Sequence, residues 1–185
     1  MSTKYYQRKN LPQKFSDFIE NLSDQELREK LKGLIEEKDK LVDIVAYSLM
    51  PTHIHFILKQ LDDAGISRFM SNLLNSYTRY FNLTHGRKGP LWQGRFMSIL
   101  VERDSQLLHL TRYVHLNPTT AGIVNRPEDW SYSSYREYLK TIPPEEQMCA
   151  YADLIDLSPQ DYRKFVEDRI SYQKELAVIK HLTLE

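Results

Sequence analysis

The chain has 185 residues, with 25 Lys and Arg against 25 Asp and Glu, and 41% of its residues are hydrophobic. This length suits one domain with some additional segments. Such a domain can bury a core without stabilisation by a metal or a disulfide. No apolar run approaches the roughly 20 residues that span a bilayer, and the N-terminus lacks a secretory signal. The single Cys149 cannot form an internal disulfide, which suits a reducing cytosol. We therefore expect a cytoplasmic protein that is not embedded in a membrane.

The charges are unevenly divided along the chain. Residues 64–126 carry 8 Lys and Arg against 2 Asp and Glu, a balance of +6, whereas residues 127–185 carry 7 against 12, a balance of −5. The zero net charge argues mildly against nucleic acid, but a local basic zone can still engage phosphates. An ordinary solvated face is the alternative interpretation of this zone.

The first 60 residues change from a helical to a strand pattern. Pro12 opens one predicted helix, and the run from Ser23 to Glu26 is typical of a capping box that begins a second. Residues 41–49 then predict a strand, and residues 53–58 predict another after a break at Pro51. Because residues 53–58 are apolar on both faces, we expect that strand to be central in a sheet.

The basic middle of the chain begins with an amphipathic pattern. Apolar residues at helical spacing over residues 66–81 predict a long helix. Residues 85–90 form a basic turn with two glycines, and residues 91–100 then favour a strand.

A second helical pattern starts near Asp104, which we expect to act as the N-cap. This helix should end near Asn117, because Pro118 disfavours helical geometry in the residue before it. Beyond Gly122 we expect a loop, a short helix from about Ser133, and a final helix from about Pro159 to Lys180.

His53 and His55 are separated by one residue on a predicted strand, so both imidazoles project from the same face. Two neutral imidazoles can bind a divalent cation and leave coordination positions open for a phosphate oxygen. The alternative is a pair of buried histidines that are satisfied by hydrogen bonds, which a bare His-x-His does not exclude.

Tyr113 and Asn117 lie four residues apart on a predicted helix and so share a face. A phenol has an unperturbed pKa near 10 and needs a nearby cation or base to attack a phosphate at neutral pH. Asn117 could supply an oxygen ligand to such a cation. Packing in a core or an interface is the alternative for Tyr113, since the chain has 12 tyrosines.

Four blocks in order resemble the single-tyrosine HUH transposases of insertion sequences, including their REP-associated tyrosine transposase relatives. The resemblance covers roughly residues 41–140 and is more specific than any single motif. The blocks are Tyr47–Phe56, Leu91–Phe96, Arg112–Pro118 with Ala121 and Gly122, and Trp130–Tyr135.

The resemblance implies an α+β fold, with a ferredoxin-like antiparallel sheet, helices on one face and extra C-terminal helices. On this basis we divide the chain into an N-terminal helical segment (1–40), an HUH catalytic core (41–140) and a C-terminal helical extension (141–185). The family usually begins with a strand that residues 1–12 do not match. We therefore expect a sheet edge that is exposed or covered by a second copy of the chain, as in a homodimer.

The resemblance also implies a role for each site residue. His53, His55 and Asn117 would hold Mg²⁺ or Mn²⁺, and Tyr113 would attack the phosphorus of single-stranded DNA that carries hairpin elements. The product would be a 5′-phosphotyrosine and a free 3′-hydroxyl. Rejoining would occur by the reverse attack, without ATP.

Candidates for contact with DNA come from the basic middle of the chain, and for each the alternative is a surface charge or a packed aromatic. Arg95 and Trp92 are the first choices among them. The full set is Arg68, Arg79, Arg87, Lys88, Trp92, Arg95 and Arg112.

Three other protein classes share part of this pattern. Histidine-triad hydrolases would need a histidine where Ile57 stands, and two-histidine phosphoesterases would need Ser or Thr where His55 stands. A domesticated DNA-binding module that has lost catalysis is the third rival. All four proposed catalytic positions are filled, which argues against such a loss.

Overall fold

The computed structural model describes residues 40–170 together with Gln7, Ser23 and Glu26. The fold is α+β, with two antiparallel strands followed by helices. This confirms the predicted fold class, while the full ferredoxin-like sheet stays a prediction because the described sheet has two strands. The elements are β1 (Val42–Leu49), β2 (Ile54–Gln60), α1 (Gly65–Thr84), α2 (Asp104–Thr120), α3 (Tyr135–Tyr138) and α4 (Pro159–Glu167), with 3₁₀ turns at Pro127–Asp129 and Pro144–Glu146.

Strand β1 has further backbone partners besides β2 among the described residues. The backbone of β1 bonds to β2 and also to later segments: the Leu49 N–H donates to the Tyr132 carbonyl at 2.9 Å and the Ala150 N–H donates to the Ile44 carbonyl at 2.8 Å. In the described sheet β2 has β1 as its only neighbouring strand, and only Ile57 of β2 is buried. The central position expected for β2 stays a prediction, because the described sheet has two strands. The apolar residues of β2 did not reveal which strand the later segments would join.

The described residues divide into two compact units, to both of which β1 and β2 contribute residues. One unit comprises residues 40–43 and 59–99, and the other comprises residues 44–58 and 100–170. The predicted boundaries at residues 40 and 140 stay a prediction. The second unit contains a core of Val45, Ala46, Ile57, Val114, Leu116, Tyr135, Tyr138, Leu139, Ile155, Tyr162 and Val166.

Helix α1 confirms the amphipathic pattern read over residues 66–81. It buries Gly65, Phe69, Met70 and Leu73 on one side. Its first residue lies against the backbone of Leu41, whose carbonyl accepts a hydrogen bond from the Leu61 N–H at 3.0 Å. The start of α1 is thus fixed against the chain segment that leads into β1.

The predicted strand over residues 91–100 is not present. This segment carries no regular secondary structure, and Met97 is 97% exposed while Ile99 is 86% exposed. A strand needs a neighbouring backbone to pair with, and none of the described strands adjoins this segment. Apolar composition alone therefore misled the prediction here.

Helix α2 starts and ends differently from the prediction. Asp104 is its first helical residue, and the N-cap is Arg103, which makes no capping side-chain bond. The helix continues past Asn117 and Pro118 to Thr120. Pro118 lies in the last turn of the helix. Its missing N–H removes one hydrogen bond there, and two more residues complete the helix after it. Its own carbonyl accepts from the Ile123 N–H at 3.0 Å.

The remaining predictions agree with the structure where it describes them. Helix α3 is the short helix expected after Ser133, and α4 begins at Pro159, with Ser158 accepting from the Asp161 N–H at 3.1 Å. The capping box is present, since the Ser23 N–H donates to the Glu26 carboxylate at 2.9 Å. The other predicted N-terminal helical residues, the strand edge at residues 1–12 and the final helix beyond residue 170 lie outside the described residues. No helix of the described residues is long and apolar enough to cross a membrane.

We expect Gly65→Ala to destabilise the protein by about 1–3 kcal/mol, the range for inserting a methyl group into a packed site. A Cβ at this position would lie 2.3 Å from the Leu41 carbonyl oxygen, which is backbone and is already bonded to Leu61. Urea unfolding would measure the change. Ser67→Ala, at an exposed position in the same helical turn, is the control, and equal stability of the two variants would contradict this account.

Candidate active site

His53 and His55 lie side by side at the start of β2. His53 immediately precedes the strand and His55 is its second residue. Their ring centroids are 4.8 Å apart and the rings are nearly perpendicular, at 89°. Alternation along an extended chain predicts this adjacency, and the structure shows it.

The two imidazoles have different environments. His53 is exposed, and its Nδ1 lies 3.1 Å from the Thr52 hydroxyl. The Nε2 atom of His55 is buried and has no hydrogen-bond partner in the described structure. Burial, followed by the charge of His53, lowers the pKa of His55, so its ring is neutral at neutral pH. A neutral imidazole with an unpaired nitrogen is suited to binding a cation.

Tyr113 reaches this pair from helix α2. Its ring centroid is 5.8 Å from that of His55, with an edge-on angle of 81°, and the side chain is 46% exposed. Asn117 follows one helical turn later, so it shares the helix face of Tyr113. The structure therefore brings both histidines and the tyrosine together, within reach of solvent.

Three side chains here have atoms that can bind a cation: the imidazoles of His53 and His55 and the amide oxygen of Asn117. Nε2 of His55 is buried without a partner in the described residues, and so is Nδ2 of Asn117, which is a hydrogen-bond donor and not a cation ligand. Among these residues no cluster of three or more His, Cys, Asp or Glu could hold a metal ion. Two imidazoles and one amide are thus the donors that this site offers.

A family model matches the part of the chain that carries this candidate site. The model of the family described as "Transposase IS200 like" matches residues 10–117, which is more than half of the chain. The chain belongs to this transposase family. The matched stretch includes β1, β2, α1 and the part of α2 that carries Tyr113 and Asn117.

Two proteins similar to this chain are named as REP-associated tyrosine transposases, the first of them with the prefix putative. A Haemophilus influenzae protein is 30% identical over 115 residues, which cover 56% of this chain and 65% of that protein. An Escherichia coli K12 protein is 28% identical over 101 residues, which cover 54% of this chain and 58% of that protein. The chain thus matches less than two thirds of the length of either relative. No solved structure gives a significant match.

His115 lies next to the candidate site in sequence, and its place in the core was not predicted from the sequence. It lies on α2 between Tyr113 and Asn117, yet it is fully buried and bonded at both ring nitrogens. Burial lowers the pKa of His115 to about 3, so this imidazole is neutral. Its buried neighbours in sequence, Val114 and Leu116, were the available indication that it faces the core.

Several DNA-contact candidates are already engaged within the first unit. Arg68 forms an ion pair with Asp62 at 3.1 Å, and Arg87 donates to the Asn82 side chain at 3.4 Å. Trp92 donates from its indole N–H to the Leu74 carbonyl at 3.3 Å and packs beside Tyr77, so it is a partly buried anchor on α1. Arg79, Lys88 and Arg95 are exposed.

Arg112, the neighbour of Tyr113 in sequence, packs against helix α4. Its guanidinium lies over the Phe165 ring at 4.3 Å and approaches the His109 ring nitrogen at 2.9 Å. Burial and then the charge of Arg169 lower the pKa of Arg112. The structure therefore places this side chain in the packing between α2 and α4.

Removal of the Arg112 side chain should accordingly reduce stability. We expect Arg112→Ala to lower the free energy of unfolding by about 1–2 kcal/mol, through loss of the stacked stem and the cation–π contact. Arg79→Ala, which removes an exposed arginine, should change it by less than about 0.5 kcal/mol. Thermal and urea unfolding would compare the two, and equal effects would show that the Phe165 contact contributes nothing.

Proposed function

We propose that this protein is a transposase that cleaves and rejoins single-stranded DNA through a covalent link to Tyr113. The observation that carries the proposal is the edge-on placement of the Tyr113 ring beside His55, at 5.8 Å. Family membership supports it, and so does the partial exposure of Tyr113, which a core tyrosine would lack. DNA of any length could reach a nucleophile on this open surface.

The proposed step is a transesterification at phosphorus. The phenol oxygen of Tyr113 bonds to the phosphorus, and the bond from phosphorus to the 3′-oxygen breaks. The phenol loses its proton, and the departing 3′-oxygen gains one to become a hydroxyl. A 5′-phosphotyrosine results. One phosphate ester is exchanged for another, so rejoining can follow by attack of a 3′-hydroxyl on that link without ATP.

His53, His55 and Asn117 would hold Mg²⁺ or Mn²⁺ in the proposed site. Such a cation would polarise the scissile phosphate and offset the charge that develops there. The chain's own contribution is the neutral His55 ring, kept neutral by burial and by its neighbour His53. A ring in that state keeps a lone pair available at Nε2 if its proton is on Nδ1.

The DNA would be held by the exposed cations of the basic segment. Arg79, Lys88 and Arg95 present their charges to solvent, whereas Arg68 is already paired with Asp62. Phosphate contacts position a strand, so these residues would set affinity rather than sequence preference. Hairpin recognition is a part of the proposal that rests on the family resemblance. A homodimeric assembly is a part that rests on the first family strand, which residues 1–12 do not match.

The first test is Tyr113→Phe, which keeps the ring beside His55 and removes the nucleophilic oxygen. With labelled single-stranded DNA and Mn²⁺, the unsubstituted protein should form a covalent adduct and Tyr113→Phe should form none, while DNA affinity stays within about twofold because the contact surface is retained. Tyr132→Phe is the matched control, since Tyr132 is also exposed, at 59%. An adduct formed by Tyr113→Phe would disprove the assignment.

The metal site can be tested without any reaction. Calorimetry with Mn²⁺ should show that His55→Ala and His53→Ala each lose about 10-fold or more in affinity, and that Asn117→Ala loses less because an amide is a weaker ligand. His85→Ala removes an exposed histidine of α1's C-terminal end and serves as the control. Unchanged Mn²⁺ affinity in both site-histidine variants would place the metal elsewhere.

Affinity for single-stranded DNA should fall as salt rises, because bound phosphates release counterions. We expect Arg95→Ala to reduce the slope of log affinity against log salt by about 1, as for loss of one phosphate contact. Arg68→Ala should change it less, since Arg68 is paired with Asp62. Fluorescence titrations at several salt concentrations would measure both slopes. Affinity that does not depend on salt would rule out an electrostatic interface.

A further inference from the structure

A chain of buried hydrogen bonds joins helix α2 to strand β1 through His115. The Nε2 atom of His115 lies 2.7 Å from the Ser134 hydroxyl, and its Nδ1 lies 2.7 Å from the Tyr162 hydroxyl. Ser134 in turn bonds to the backbone of Tyr47 in β1, both to its N–H at 2.9 Å and to its carbonyl at 3.2 Å. The imidazole thus connects α2 with β1 on one side and with α4 on the other.

Both ring nitrogens of His115 are paired whichever of them carries the proton. The Ser134 hydroxyl accepts from the Tyr47 N–H and lies within hydrogen-bond distance of both the Tyr47 carbonyl and Nε2 of His115. A neutral imidazole donates from one nitrogen and accepts at the other, and each of the two nitrogens faces a hydroxyl group, which can do either. The ring is therefore held at both ends.

Aromatic rings surround this imidazole and restrict its movement. The rings of Tyr135, Tyr138 and Tyr162 have centroids 5.5, 4.8 and 5.7 Å from that of His115. His115 is two residues from both Tyr113 and Asn117, which is about 200° around a helix, so it points from the opposite face. The rotation of α2 that presents Tyr113 to His55 is thereby tied to the position of this buried ring.

We propose that His115 is a positioning residue, which through Ser134 fixes the orientation of α2 against β1 and so places Tyr113 for attack. This inference rests on the proposed function of Tyr113. It goes beyond that function because His115 touches neither the DNA nor the nucleophile. A small rotation of α2 would leave DNA binding intact, yet misplacement of a nucleophile by about 1 Å can cost about 100-fold in rate.

The test compares two amides at position 115. In His115→Gln the longer side chain can place its terminal amide group near the position of Nε2 and keep a hydrogen bond to Ser134, whereas the Asn side chain is too short to do so. We expect His115→Asn and Ser134→Ala to slow single-turnover adduct formation by about 10-fold to 100-fold. His115→Gln should stay within about 3-fold of the unsubstituted protein, and DNA affinity should be unchanged in all three.

Tyr151→Phe is the control for loss of a half-buried hydrogen bond in the same core. The Tyr151 hydroxyl donates to the Glu137 carbonyl at 2.8 Å and takes no part in the His115 chain, so its removal should leave the rate unchanged. All rates are measured at a temperature where unfolding curves show each variant fully folded. If His115→Asn and Ser134→Ala then react as fast as Tyr151→Phe, the role of His115 is structural only and the proposal is overturned.

A second readout does not depend on catalysis. The ring signals of Tyr113 and His55 in ¹³C NMR spectra should shift in His115→Asn and Ser134→Ala but not in His115→Gln or Tyr151→Phe. If the unsubstituted protein forms no adduct, the proposed function fails, and these spectra alone decide the positioning role. Unshifted signals in both His115→Asn and Ser134→Ala would overturn it.

Discussion

The packing of helix α2 against strand β1 is the constraint on which the site depends. Val114 and Leu116 of the helix share one buried cluster with Val45 and Ala46 of the strand. These residues flank the site residues in sequence, so the helix must turn its other face, with Tyr113, toward the hairpin that carries His55. Burial of each such apolar side chain contributes about 1.5–3 kcal/mol, which outweighs the few tenths that helix propensity could supply. Core packing therefore decides which residues of α2 are left for chemistry.

Hydrophobic contacts have no preferred direction, and the hydrogen bonds of polar groups inside this core supply one. Glu137 is almost fully buried, and its carboxylate accepts from the backbone N–H groups of Met148 and Cys149, each at 2.8 Å. Burial raises the pKa of Glu137, and these backbone N–H bonds lower it in part. The Tyr138 hydroxyl likewise donates to the Val45 carbonyl at 2.8 Å. Apolar contacts allow neighbouring elements to slide, whereas such bonds are satisfied in one register only. The segment after α3 is thereby held beside β1.

The sequence predicted what depends on local periodicity and failed where distant partners decide. The apolar runs over β1 and β2 and the helical spacing over α1 were sufficient to locate those elements. The segment that contains Met97 looked equally apolar, but a strand exists only with a partner, and composition does not show one. The neighbours Arg112 and Tyr113 were both placed in the site. Only the position of Phe165 on α4, 53 residues away from Arg112, shows that Arg112 is turned into the packing instead.

Unpaired buried atoms do not by themselves mark a site in this protein. Tyr135 and Thr119 also have buried oxygens without partners in the described residues, and each such atom costs about 1–3 kcal/mol. Tyr135 is enclosed by the core, so its unpaired oxygen has no route to a ligand. His55 differs because it borders the exposed ring of Tyr113 and the exposed His53. Binding of a cation would offset the free-energy cost of burying the His55 nitrogen without a partner. A cation and a phosphate could reach this nitrogen together only beside an open surface. The combination of an unpaired nitrogen with an accessible tyrosine, rather than either alone, is what singles out this end of β2 as the candidate site.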